Sequence, residues 1–193
     1  MKELARELFA ELDREFLRTA GVASFSPVGI HLLNDQIPWD PSDQNPDPRL
    51  FIGAGAPSDP DAEVHASWSK SDFEAALADD RWLATWLSHA WLALIAAKWE
   101  GHYRPSFSKL HGVDLNDVRS DVMGDIRHLR NDVIHNKANA SNEHTARCRI
   151  ITRFKPGDSI VLEPRDIWFL RSNLTVEIPV VNAKYSTSSV PRR

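Results

Sequence analysis

Arg130, Asn131 and His135 fall within two turns of one predicted helix, inside the stretch Arg127-His128-Leu129-Arg130-Asn131-Asp132-Val133-Ile134-His135-Asn136-Lys137. An arginine keeps its charge at any working pH and presents a donor fork that matches phosphate oxygens. A histidine lends or takes a proton near neutral pH. A carboxamide beside them can orient a phosphate or fix an imidazole tautomer. Together these groups form a minimal set for breaking a phosphodiester without a metal ion.

The helix that must position them is expected over residues 114–137, with Asp114 as N-cap and Asp117 favouring its positive end. Val122, Ile126, Leu129 and Val133 recur at steps of four, three and four. At about 100° per residue they fall within about 60° of one another, a stripe that faces a core. Gly124, Asn131 and His135 lie on the opposite side, and Arg130 lies on the flank with a stem long enough to swing toward His135. Asn131 and His135 are four apart and therefore surface neighbours. Polar residues opposite a core stripe are ordinarily just a solvated face. Two residues speak against that. Gly124 in mid-helix costs about 1 kcal/mol relative to alanine, and Ile134 is too apolar for open water. The face reads better as an interface or cleft.

Glu100, Tyr103 and Arg104 stand where the preceding helix is expected to end. If that helix runs antiparallel to the motif helix, Glu100 can orient His135 or Arg130. The plainer alternative is a solvated helix end with Arg104 ahead of the helix-stopping Pro105. Arg127 and His128 count as further supporting residues on the motif helix.

A metal site is the competing chemistry, and the spacing disfavours it. His128 and His135 are two turns apart, about 10 Å along the axis, too far to share one ion within a chain. His144 and Cys148 are one turn apart but lack a third and fourth ligand. No metal or other cofactor is expected.

A formal charge of −4 over 193 residues excludes a generically basic nucleic-acid binder. The distribution is uneven. Residues 1–100 carry 8 Lys and Arg against 17 Asp and Glu, whereas residues 101–193 carry 15 against 10. The motif lies in the positive half, where an RNA backbone would be drawn; an acidic concentration in N-terminal loops explains the asymmetry equally well. The single cysteine, Cys148, excludes an intrachain disulfide and fits a reducing cytoplasm. The N-terminus is too charged for a secretory signal, and the longest apolar run, residues 90–97, is far short of a membrane span. A cytoplasmic protein with no membrane contact is expected.

Along the chain, residues 1–20 read as an N-terminal helix with Leu4, Leu8, Leu12 and Phe16 on one stripe. Residues 21–70 hold seven of the twelve prolines and read as an irregular Pro- and Asp-rich segment, with at most a brief strand at Leu50-Phe51-Ile52. Ser71 and Glu74 form a capping box, opening a helical core over residues 71–140 with a break near Asp79-Asp80. Four tryptophans between positions 82 and 99 resemble a base-stacking platform, but at helical intervals among leucines they read as core. Residues 141–181 read as a hairpin, with strands near 147–154 and 159–162 around the turn Lys155-Pro156-Gly157-Asp158, then a last helix over 165–177. Residues 182–193 read as a disordered tail.

The phrase Arg130-Asn131, three residues, His135 resembles the signature of the HEPN superfamily, in which an arginine, often followed by a polar residue, precedes a histidine by four to six positions. Trp99-Glu100-Gly101-His102-Tyr103-Arg104-Pro105 also resembles a segment upstream of the motif in some bacterial members. The resemblance covers residues 71–140. It implies a mainly α fold: an antiparallel HEPN-like helical bundle, here with a long Pro-rich loop and a small C-terminal β-hairpin plus helix, as a single domain over residues 1–193. It further implies a homodimer joined across the motif helices and a metal-independent endoribonuclease. Arg130 and His135 would be the catalytic pair, with Asn131 their polar partner. Such enzymes serve in antiviral defence, in toxin–antitoxin pairs or in RNA processing, so RNA and an antitoxin or regulatory protein are the implied partners. Toxins silenced by a nucleotidyltransferase carry a tyrosine two positions after the histidine, where this chain has Lys137. Some members have lost catalysis and serve as binding modules for RNA or protein, which is the alternative reading.

Overall fold

Ala5, Phe9, Leu12, Phe16 and Ala20 return at steps of four, three, four and four, and all five are buried. They form the inner face of α1 (Lys2–Asn34). The stripe is offset from the expected one, because the two phenylalanines carry the larger apolar area and set which side turns inward; Leu4 is exposed. The helix also continues past residue 20, through Gly21 and Pro27. The computed structural model describes residues 2–34, 36–37, 47–55, 60–78 and 80–189. By contacts the chain divides into two compact units, residues 26–83 and residues 1–25 with 84–193.

In the smaller unit, residues expected to be irregular form an antiparallel hairpin of β1 (Arg49–Ala54) and β2 (Glu63–Ser69), with Arg49 opposite Ser69 and Ala54 opposite Glu63. The register shifts between Ile52 and Gly53. A Cβ at Gly53 would stand 2.0 Å from the Glu63 carbonyl oxygen, so only glycine fits there. The prolines at 38, 41, 46 and 57 lie outside the described residues. Helix α2 (Lys70–Ala78) starts one residue before the expected capping box. Ser69 Oγ accepts the Asp72 amide at 3.0 Å, while the Ser71 amide and hydroxyl go to Asp47 at 2.9 and 2.7 Å.

The larger unit is mainly helical. Helix α3 (Asp80–Lys98) passes into a wide π turn (Trp99–Tyr103) and then α4 (Arg104–His111). The chain therefore stays helical through Pro105, which sits in the first turn of α4, where a missing N–H costs least. Gly112, at φ 65, ends α4 in the left-handed conformation. Trp91 and Trp99 are core residues, and Trp91 donates to Thr19 Oγ1 at 3.1 Å. Trp82 and Trp86 are more than half exposed, so the expectation that all four are core holds only for Trp91 and Trp99.

Helix α5 runs Asp121–His135, shorter at the front than expected. Asp114 caps only a 3-10 turn (Leu115–Asp117), accepting the Asn116 amide at 2.8 Å. Arg119 is then held extended by two backbone bonds with Glu177, at 2.9 and 2.8 Å. Ser120 is the true N-cap, its Oγ accepting the Met123 amide. Changing Ser120→Ala should cost about 1 kcal/mol of stability, readable by denaturant unfolding; a loss under a few tenths would mean that the cap is not used in solution. Lys137 and Ala138, at φ 51 and 60, end the helix.

After α5, a short α6 (Asn142–Thr145) leads into extended chain. Residues 147–154 and 159–162 do not pair as strands. The Arg149, Ile150 and Ile151 amides point instead at the Asp125 carboxylate, and the Ala140, Gly157 and Ile160 amides donate to the Asp158, Ala140 and Ala138 carbonyls, tying residues 157–160 to 138–140. The turn at 155–158 is present, with Gly157 at φ 93. Helix α7 (Pro164–Ser172) opens on a capping box between Glu163 and Asp166. It stops before Asn173, five residues short of the expected Glu177, because Thr175–Ile178 (β3) pairs antiparallel with Ala183–Ser186 (β4). The C-terminal hairpin thus follows the last helix, and it takes in residues expected to be a disordered tail. Buried Asp13 of α1 receives Arg171 of α7 at 2.7 Å, and Lys98 of α3 pairs with Glu15 of α1. The chain is mainly helical with two small antiparallel sheets.

Candidate functional site

Helix α5 presents three distinct sides. Val122, Ile126 and Leu129 are fully buried in the core. Beside them, Asp125 and Asp132 are also buried, at 1 % and 2 % exposure. Their carboxylates hold the following chain against the helix. Asp125 accepts the Arg149, Ile150 and Ile151 amides at 2.7–2.8 Å, and Asp132 accepts the Ser141 amide at 2.8 Å and His144 Nδ1 at 2.6 Å. The remaining side faces outward and carries Gly124, Arg127, Asn131, Ile134 and His135; Ile134 is 54 % exposed.

Arg130 is half-buried on the flank of that side, and its Nη1 donates to Asn131 Oδ1 at 3.0 Å. His135 is exposed in the last turn, with no hydrogen-bond or ionic partner among the described residues. Arg130 and Asn131 are therefore together, and His135 stands one turn on, unjoined to either.

The supporting residues cluster elsewhere. Glu100 does not orient Arg130 or His135; its carboxylate takes Arg104 Nη1 at 3.0 Å, and Arg104 Nε also reaches the Val118 carbonyl. The π turn explains the pairing, since continuous helix keeps these two residues one turn apart on one side. Glu100, Arg104, Arg127 and His128 all line a groove of about 500 Å³ along the N-terminal half of α5. His128 packs against His144 with ring centroids 5.5 Å apart and planes tilted by 33°, and its Nδ1 is buried without a partner among the described residues. Burial, then the Arg127 charge, then His144 lower the His128 pKa from 6.5. For Asp132, burial pushes the carboxyl up, but the bonds from Ser141 and His144 outweigh it and hold the group below 3.8. Cys148 is pushed up to about 12 by burial and by Asp125 and Asp132, so its thiol is not a nucleophile at neutral pH.

A histidine whose pKa falls on folding binds fewer protons in the native state than in the unfolded one. Stability should therefore drop as pH falls below 6.5 toward the lower folded value, and stay down below it. Burial lowers His111 in the same direction. Thermal melts of His128→Leu against the parent chain across this range should show a shallower acid slope; parallel slopes would refute a buried neutral His128.

Among the described residues no three His, Cys, Asp or Glu side chains are placed to share a metal ion, and His144 is committed to Asp132 rather than to Cys148. No helix among them is long and apolar enough to cross a membrane. Asp125, Asp132, His144, Arg147 and Arg149 shape this region and were not legible as such in the sequence. The available signal was the seven-residue spacing of Asp125 and Asp132, which sets both beside the apolar stripe. No protein-family model, curated protein or solved structure was found to match this chain.

Proposed function

We propose that this chain is a metal-independent endoribonuclease that acts in the cytoplasm as a homodimer, with the outward C-terminal halves of two α5 helices, Asn131 to His135, facing one another. The observation that carries the reading is the outward strip itself. A solvent-facing histidine ends the helix, a paired arginine and asparagine precede it by one turn, and an exposed isoleucine lies between them. Such a strip suits a twofold contact, where one patch meets itself.

RNA supplies its own nucleophile, the 2′-hydroxyl. A neutral His135 takes the 2′-hydroxyl proton as O2′ attacks the adjacent phosphorus. The bond from phosphorus to O5′ breaks, and the partner's His135, protonated, gives its proton to O5′. Arg130 holds the phosphate and offsets the charge that grows on its oxygens in the transition state. Asn131 fixes the Arg130 guanidinium through their existing hydrogen bond. The products are a 2′,3′-cyclic phosphate and a 5′-hydroxyl, and DNA is inert. Defence or toxin-type RNA degradation, with an antitoxin or regulatory partner, is the setting that the HEPN resemblance suggests.

The test is to incubate purified protein with RNA in EDTA and analyse the new ends. Cyclic phosphate ends, with DNA untouched, support the proposal. Binding without cleavage would instead make the chain an RNA-binding module, and cleavage only with added metal would refute the mechanism.

A further inference from the structure

The groove beside α5 is lined by Arg104, Arg119, Arg127, Arg147 and Arg149, five guanidinium groups against three carboxylates. All three carboxylates are already engaged. Glu100 takes Arg104, Asp121 takes Arg149 at 2.8 Å, and Asp125 takes three backbone amides. Arg127 is exposed and has no hydrogen-bond or ionic partner among the described residues. Arg147 has only a surface pair with Glu143, at 3.3 Å. A guanidinium carries five donors, so most of this donor capacity is unspent.

The ligand chemistry follows from what else lines the groove. Its aromatic wall, Trp99, is buried to 4 % exposure and offers no open face for a base. Recognition therefore falls on oxyanions rather than on base stacking. Gly124 lies on the same wall, and a Cβ there would meet nothing within 4 Å. The chain thus accepts a helix-weakening residue that none of its own packing requires. The absent side chain keeps the groove open to an incoming backbone. Arg147 and Arg149 are brought to the rim because Asp125 anchors the 149–151 backbone.

We infer that this groove is a phosphate-binding track that holds the sugar–phosphate backbone of single-stranded RNA away from the scissile linkage. The assignment of RNA as the source of those phosphates rests on the ribonuclease reading; the preference for phosphate oxygens rests on the groove alone. Arg127 is eight residues from His135, about 12 Å along the helix axis, so one strand can occupy both places.

The test measures binding of a fluorescein-labelled oligouridylate to the full chain carrying His135→Ala, across a salt series, with ATP and inorganic phosphate as parallel probes. Adding Arg127→Ala and Arg147→Ala should weaken oligouridylate binding about tenfold and reduce the slope of log affinity against log salt by about 1.4, or 0.7 per lost phosphate contact. Gly124→Trp, which fills the groove without removing charge, should weaken binding as well. Arg165→Ala, an exposed charge outside the groove, should change neither value. Unchanged affinity and slope in the arginine variant would overturn the inference, as would ATP binding that depends on these residues while oligouridylate binding does not. Binding is read on a chain unable to cleave, so failure of the nuclease chemistry and failure of the groove give different results.

Discussion

His135→Ala should slow RNA cleavage by about 10²–10⁴, the range that general acid–base assistance supplies. In the proposed mechanism both proton transfers pass through this residue, one in each protomer, so nothing in the site replaces it. The change should leave folding intact, because His135 is exposed and makes no hydrogen bond among the described residues. Melting temperature and RNA affinity should therefore match the parent while the rate collapses. Arg130→Lys is the companion variant. It keeps the charge but loses the planar fork that also anchors Asn131, so partial activity is expected. An His135→Ala protein that cleaves at the parent rate would remove the imidazole from the mechanism.

Asp125→Ala should be the most destabilising single polar substitution in the larger unit, at about 3–5 kcal/mol. It removes the acceptor of three amides, of which that of Ile151 is buried, and a buried N–H left without a partner costs its full desolvation. Asp125→Asn should recover little, because the amide keeps one acceptor oxygen and turns an NH2 group toward other N–H donors. Denaturant unfolding reads the effect directly. A loss within about 1 kcal/mol would mean that the 149–151 segment is held by other contacts. The same variant should weaken oligouridylate binding, since Asp125 sets the backbone from which Arg149 enters the groove.

What was legible in the sequence depended on how local its cause is. The apolar stripe Val122, Ile126, Leu129 and the outward placement of Asn131 and His135 follow from helical periodicity and are seen in the structure. The capping choice between Asp114 and Ser120 is settled by the Arg119–Glu177 backbone pairing, a contact between distant parts of the chain. The alternation over 147–154 suggested a strand, but a helix carboxylate takes the amides that a strand would need. Glu100 was legible as a residue near the motif. Its pairing with Arg104 follows from the chain staying helical through Trp99–Tyr103, against the expectation that Pro105 stops the helix. The Pro-rich stretch hid a hairpin because the prolines that read as breakers fall outside the paired residues.

The proposed mechanism uses one His135 as base and the His135 of a second copy as acid, so it needs two chains. Sedimentation of the purified chain at the concentrations where it cleaves RNA is the most direct test. A particle of twice the 21.8 kDa chain mass, falling to single chains and losing activity together when Ile134→Glu is introduced, is the expected result. A fully active single-chain particle would contradict the account.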